Sequence, residues 1–407
     1  MKIAIIGGGA SGMTAAIVAK RSGAEVSIFE HMHRIGKKLL LTGNGKCNIS
    51  NTDMDIRHFH GGSSDIISAV LDSSSSADTK AFYESLGLFL RDRNGYLYPY
   101  SEQASAVLDV LRFAIRDLGI DVYTDTDIKL SENAGRFVIS TSGRRFDFDR
   151  VILCCGSCVA RNTGSDGSGY DIAQKLGHTI IKPLPALTHL LCEEDFFTSI
   201  AGIRINANVR IYSTDNEKST LLGEEYGQVQ LTKAGISGIP VFNLSYLAVR
   251  GFDNGERIKA ELDFIPDIPA DDIRDFMMKR REELSDRTVE EFFIGLLPKP
   301  LGICICKRVH LSLGDKVSSM SDGAIESLCR MVKNFDVYVR GHGDFDWAQV
   351  ASGGVDLKEV TEKLESRIVP GLYFAGEILD VNGDCGGYNL QWAASSAMTA
   401  AREACSA

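Results

Sequence analysis

An α/β fold split by a β-rich insertion is predicted by three features of the sequence. The chain opens with a short apolar run, a glycine break, an alanine-rich stretch and a second apolar run. Two more short apolar runs ending in glycine, at 149–156 and 371–376, stand far downstream. Between them, residues 187–265 alternate apolar and polar side chains in short segments. Continuous apolar runs are the pattern of buried parallel strands, whereas alternation marks antiparallel strands with one covered face.

The elements follow in order. Lys2–Ile6 reads as a buried strand, residues 13–20 as a helix, and Gly23 as its end, because glycine tolerates positive φ. Glu25–Phe29 is a second strand, and residues 31–52 form a long glycine-bearing loop. Residues 64–119 look helical around a turn or hairpin at 90–98, and strands at 122–123 and 137–140 flank a turn at 132–135. Residues 270–297 read as helical with acidic starts, stopped by Pro298 and Pro300, and Cys304 and Cys306 read as strand. Strands return from 335, and a last helix runs from about 390 to 404.

With 407 residues, two or three domains are expected. The net charge of −10 and the lack of a basic stripe argue against a nucleic-acid partner, and Lys279-Arg280-Arg281 reads as a solvated helix face. No apolar stretch approaches the roughly 20 residues that span a bilayer, so no membrane partner is expected. Without a signal peptide in view, ten cysteines are expected as free thiols in the cytoplasm. Oligomeric state is left open.

Gly7-x-Gly9-x-x-Gly12 lies between the first strand and helix, and Glu30 ends the second strand. That context marks a Rossmann-like dinucleotide site. Gly7 allows the turn, Gly9 the close approach of a pyrophosphate to the helix opening, and Gly12 close helix–strand packing. Glu30 can accept hydrogen bonds from ribose hydroxyls. The glycine- and asparagine-rich stretch 37–51 favours a larger ligand than NAD. Downstream, Gly371-Leu-Tyr-Phe-Ala-Gly-Glu377 is similar to the C-terminal motif of flavoproteins with two dinucleotide-binding segments, where the acid holds the ribityl chain of FAD. Gly386-Gly-Tyr-Asn-Leu-Gln-Trp392 opens the last helix, whose N-terminus can stabilise negative charge on reduced flavin.

The stretches GGGASGM, TGNGKCNISN, AQVASGGV and GLYFAGEILDVNGDCGGYNLQWAASSA together resemble the HI0933-like (BaiN / aminoacetone oxidase) flavoproteins over nearly the whole chain. The resemblance implies a split, Rossmann-like FAD-binding domain with an inserted β-barrel-like domain and a small helical subdomain. The boundaries expected here are 1–187 and 342–407 for the FAD-binding domain, 188–268 with 305–341 for the β-rich insertion, and 269–304 for the helical subdomain. FAD would be held non-covalently. Gly7, Gly9, Ser11 and Gly12 match the pyrophosphate loop and Glu30 the ribose acid. Lys38, Thr42, Gly43, Gly45, Cys47 and Asn48 match the loop against the flavin. Glu377 matches the ribityl acid, and Gly387, Tyr388, Asn389 and Leu390 match the turn at the ring. Ala10, His31, Asn44, Ile128, Cys155, Gly156 and Gly376 complete the expected cofactor set. Three places depart from the family pattern: Lys46 replaces Arg, Ser352 precedes the Gly-Gly pair, and Cys155-Gly-Ser-Cys158 follows the middle strand.

The resemblance implies an FAD-dependent oxidoreductase moving hydride between flavin and a small organic substrate. It would reduce activated C=C bonds or oxidise small amines, with NAD(P)H as a candidate electron donor. The alternative is a redox sensor or RNA-associated flavoprotein without turnover. No catalytic residue is identified; Cys47 is a weak candidate, against the reading of a small filler beside the ring. Cys155-x-x-Cys158 has redox-pair spacing but reads better as buried filler. The loop 163–169 could bind NAD(P) phosphate but is expected within the FAD domain. His58-x-His60, like His342 with Asp344, lacks further ligands at metal-site spacing, so no metal is expected.

Overall fold

The strand Lys2–Ile6 (β1) sits at the centre of a five-stranded parallel sheet because its side chains are apolar on both faces; Ile3, Ala4 and Ile5 have no exposed surface. The sheet runs Leu372–Phe374, Arg150–Leu153, β1, Glu25–Phe29 (β2), Asp121–Tyr123. Ile3 stands opposite Val26 on one side and Arg150 on the other. The computed structural model describes every residue except Ala134, Asn216, Glu217 and Ala407. It comprises two units, Met1–Pro185 with Ala348–Ala407, and Ala186–Trp347.

In the first unit, β1 feeds the helix Ala10–Arg21 (α1), which Gly23 ends at φ +92°. The C-terminal helix, Tyr388–Ser406, lies along α1. Ala397, Ala400, Ala401 and Ala404 are buried on it, and side chains this small let the two backbones approach closely. The antiparallel hairpin of Leu90–Arg93 and Tyr96–Pro99 turns at Asn94-Gly95, both left-handed, the residue pair such tight turns favour. Ser50–Asn51 adds a short third strand to it. Lys129–Asn133 and Arg136–Ser140 pair antiparallel, and the turn expected between them includes Ala134, outside the described residues.

The second unit holds a closed antiparallel barrel in the order Leu190–Cys192, Gly235–Gly238, Lys218–Leu231, Arg204–Asp215, Arg257–Asp263, Phe335–His342. Ala207, Val209 and Ile211 point inward at the period of two that the alternation predicts. The helices Ile273–Glu283, Lys299–Arg308 and Asp322–Lys333 bury their apolar faces in the same hydrophobic cluster as these strands.

Three expectations need correction. The stretch 187–265 is not all strand, since Ile239–Asp253 is a 15-residue helix opened by Pro240. Pro298 and Pro300 do not stop a helix; they open Lys299–Arg308, where the missing N–H has no intrahelical partner to lose. Cys304 and Cys306 therefore lie on a helix, and the boundary expected at 304/305 falls inside it.

Candidate flavin-binding site

The site begins where β1 meets α1. Gly7 has φ +100°, and a Cβ there would lie 2.5 Å from the Cys154 carbonyl oxygen. A Cβ on Gly12 would overlap the Gly7 carbonyl oxygen. Strand, turn and helix thus close on one another through bare backbone. Gly9 differs: it is extended, at φ −77° and ψ −167°, and nothing lies within 4 Å of a Cβ placed on it. No side chain caps α1 there. The first N–H groups of a helix lack intrahelical acceptors, so Gly9 to Gly12 offer amides to an anion approaching through open space.

Glu30 is fixed beside this opening. Its Oε2 accepts from the Gly8 N–H at 2.9 Å and its Oε1 from the Met32 N–H at 2.9 Å. Each carboxylate oxygen keeps a further lone pair for a ribose hydroxyl. The loop 163–169 packs here too: a Cβ on Gly164 would lie 2.8 Å from His31 Nε2 and 3.5 Å from Glu30 Oε1. It packs against Glu30 and His31, beside the opening of α1. Ile128 is partly buried just before the strand Lys129–Asn133.

The C-terminal motif arrives at the same place. A Cβ on Gly376 would lie 2.5 Å from Ser11 Oγ, so the glycine before Glu377 touches the first turn of α1, 365 residues earlier in the chain. Gly376 is held by its N–H to Ser396 Oγ at 2.8 Å and by its carbonyl to Trp392 Nε1 at 3.2 Å. Glu377 is gripped from three sides. Lys38 Nζ donates to Oε2 at 2.6 Å; Ser157 Oγ and the Ala351 N–H donate to Oε1 at 2.8 and 3.1 Å. The sequence pointed to Lys38 and Glu377 but missed Ser157, in the very segment where the cysteines depart from the family pattern.

The loop 42–48 turns through left-handed residues Gly43, Asn44, Gly45 and Cys47. It faces the opening of the C-terminal helix, where a Cβ on Gly387 would lie 2.5 Å from the Ser50 carbonyl oxygen and 3.0 Å from Asn48 Oδ1. Asn48 Oδ1 is buried and has no protein hydrogen bond. Asn389 braces the opening, accepting from the Gly383 N–H at 2.8 Å and donating to its carbonyl at 2.7 Å. A buried acceptor without a partner and the open, uncapped start of α1 at Gly9 fit a flavin dinucleotide.

Cys47 is fully buried, and burial pushes its thiol up to about 12, opposed by the Thr42 hydroxyl. Lys46 does not activate it, being paired with Glu102 at 3.4 Å. At neutral pH the thiol is held protonated. Cys155 and Cys158 are free thiols; burial raises both, Cys155 to about 12, and neither is poised as a thiolate. His58 and His60 clasp the buried Asp384, with Nδ1 of His58 at 2.9 Å and Nε2 of His60 at 2.8 Å from its carboxylate. The His58 ring stacks on Tyr388 at 4.5 Å between centroids. These histidines tie the strand Phe59–Gly61 to the turn before the C-terminal helix.

Fold and cradle define the class, a dinucleotide-binding protein with a Rossmann-type domain. The HI0933-like protein Rossmann domain matches residues 1–403, and the chain belongs to that family. It is 40% identical over 407 residues to the 3-dehydro-bile acid delta(4,6)-reductase of Clostridium scindens, covering 99% of this chain and 98% of that one. It is 25% identical to the ribosomal RNA dihydrouridine synthase of Haemophilus influenzae, covering 98% and 96%. Among solved structures, it shares its fold with the 3-ketosteroid delta1-dehydrogenase from Sterolibacterium denitrificans, at a TM-score of 0.50, 12% identity and 99% coverage of both chains. Among the described residues, no helix is long and apolar enough to cross a membrane.

Proposed function

We propose that this chain reduces a carbon–carbon double bond conjugated to a carbonyl, in a small steroid-like ketone, using non-covalently bound FAD. The observation that carries this reading is the close packing of the first turn of the C-terminal helix, at Gly387, on the loop that carries the buried, unpartnered carbonyl of Asn48. Helix N–H groups there favour negative charge, which is the charge a flavin gains on reduction. The names of the two relatives support the same chemistry. A delta(4,6)-reductase and a dihydrouridine synthase both add two hydrogens across a double bond conjugated to a carbonyl.

Bound FAD supplies hydride to the substrate when reduced. The protein binds and orients. The N–H groups of Gly9 to Gly12 hold the pyrophosphate and Glu30 the ribose. Glu377, kept in place by Ser157, Ala351 and Lys38, takes the ribityl hydroxyls. The N–H groups at Asn389 and Leu390, in the first turn of the C-terminal helix, would hold the flavin end of the cofactor. Cys47, buried in the loop 42–48, would take no part in the chemistry. NAD(P)H is the proposed electron donor. The substrate is a small molecule and not RNA, in keeping with the net charge of −10. The ten free cysteines support the cytoplasm as its compartment.

The test is anaerobic. Holoprotein is reduced with NADPH or dithionite and mixed with a 3-oxo-4-ene or 3-oxo-4,6-diene steroid. Visible flavin absorbance should return, with a product heavier by two hydrogens. A flavin that stays bleached with every conjugated ketone, yet is reduced by a primary amine, would instead mark an amine oxidase.

A further inference from the structure

The hairpin beside the flavin loop carries a feature that cofactor binding does not use. Successive strand residues alternate in direction. Arg91 stands opposite Tyr98 and Arg93 opposite Tyr96, so two arginines and two tyrosines share one face of the hairpin. Lys46, from the loop 42–48, reaches the same place through Glu102. Glu102 lies 3.4 Å from Lys46 Nζ, 3.7 Å from Arg91 Nη1 and 2.8 Å from Arg93 Nη2. Among the described residues it is the only acid within ion-pair distance of these three cations, so positive charge is left over in a chain whose net charge is −10. The Arg91 guanidinium lies 4.2 Å over the ring of Tyr100, itself exposed.

This face adjoins the flavin end of the cradle. A Cβ on Gly386 would lie 3.1 Å from a ring carbon of Tyr96, and Asn51 donates to the Gly386 carbonyl at 3.0 Å. A ligand lying on the tyrosines would reach the helix opening at Gly387 with one end and the arginines with the other. Aromatic rings accept a flat apolar body, and guanidinium forks take a carboxylate or similar anion in bidentate fashion. We propose that the Arg91–Arg93 face of the hairpin anchors the anionic group of an amphipathic substrate whose apolar body lies toward the flavin. The anchor deepens the function proposed above and rests on it for the substrate's body. Lone surface ion pairs are weak, but three cations converging on one carboxylate leave a site that a second anion can join.

The experiment compares two probes on the FAD-loaded protein by titration calorimetry: a 3-oxo-4-ene steroid bearing a side-chain carboxylate, and its methyl ester. The acid should bind roughly tenfold tighter than the ester at low salt, and added salt should close the gap. Arg91→Gln with Arg93→Gln should abolish the preference while ester affinity and FAD content stay unchanged. Glu102→Gln, which removes the competing carboxylate, should widen it. Equal binding of acid and ester by the wild-type protein would overturn the anchor, and so would a double variant that loses both probes alike. A single-stranded RNA oligonucleotide that displaces the acid and depends on the two arginines would reassign the face to nucleic acid, which also overturns it. Binding with the expected preference but no reduction of the double bond would defeat the proposed reaction and leave the anchor standing. Equal turnover and equal affinity for acid and ester would do the reverse.

Discussion

Replacing Gly9 by alanine separates space needed by the fold from space kept for a ligand. The backbone there is extended at φ −77°, a conformation alanine adopts without strain. No heavy atom lies within 4 Å of the new methyl group. The apoprotein should therefore lose at most about 1 kcal/mol, the difference between glycine and alanine as a helix N-cap. The cofactor meets a different surface. The methyl group stands where a pyrophosphate must approach the amides of α1. Lengthening one charge-assisted hydrogen bond costs about 1.5–3 kcal/mol, which lowers FAD affinity about 10- to 150-fold. Gly12→Ala is the contrast, because its Cβ would overlap the Gly7 carbonyl and should damage the fold itself. Thermal melts of FAD-free protein and titration of FAD by fluorescence quenching read the two effects apart. If Gly9→Ala binds FAD as tightly as the wild-type protein, the pyrophosphate does not lie at α1 and the reasoning fails.

Three further outcomes follow from the same geometry. Ser157→Ala removes one of three donors to Glu377, so it should destabilise the protein by about 1–2 kcal/mol and weaken FAD binding, both read by melting with and without cofactor. Cys47→Ala should retain flavin reduction and substrate turnover, and in the native protein Cys47 should resist iodoacetamide at pH 8, since its thiol is held near 12; rapid native labelling of Cys47 would contradict the buried-filler reading. His178 is buried, and burial, opposed by Glu359, lowers its pKa below the ordinary 6.5. The unfolded chain therefore takes up this proton first, so the stability His178 contributes is whole above pH 6.5 and falls as acid carries the pH below that value. Melting temperature should drop across that range in the wild-type protein and less in His178→Gln; equal slopes would remove His178 as the cause.

Much of the nucleotide-binding unit was legible because its signals are local. The run Lys2–Ile6, the glycines after it and Glu30 all belong to one short strand–turn–helix–strand segment. The same holds for Gly376 before Glu377 and for Gly387 before the last helix. The barrel strands showed through their alternation, as Ala207, Val209 and Ile211 illustrate. The helix Ile239–Asp253 did not, because it is apolar on much of its surface and short apolar runs look alike as strand or buried helix. Gly238 followed by Pro240 was the available signal of a helix start. Pro298 and Pro300 carried the same signal and were read the wrong way round. Ser157 on Glu377, and His58 and His60 on Asp384, join residues hundreds of positions apart, and no local pattern announces such contacts.

The openings of α1 and of the C-terminal helix should hold opposite ends of one FAD. A crystal structure of the protein grown with FAD measures it directly. Pyrophosphate oxygens should lie within hydrogen-bond reach of the Ser11 and Gly12 amides, and the pyrimidine edge of the flavin at the amides of Asn389 and Leu390. A flavin bound elsewhere, or density showing the ring turned away from Gly387, would contradict it.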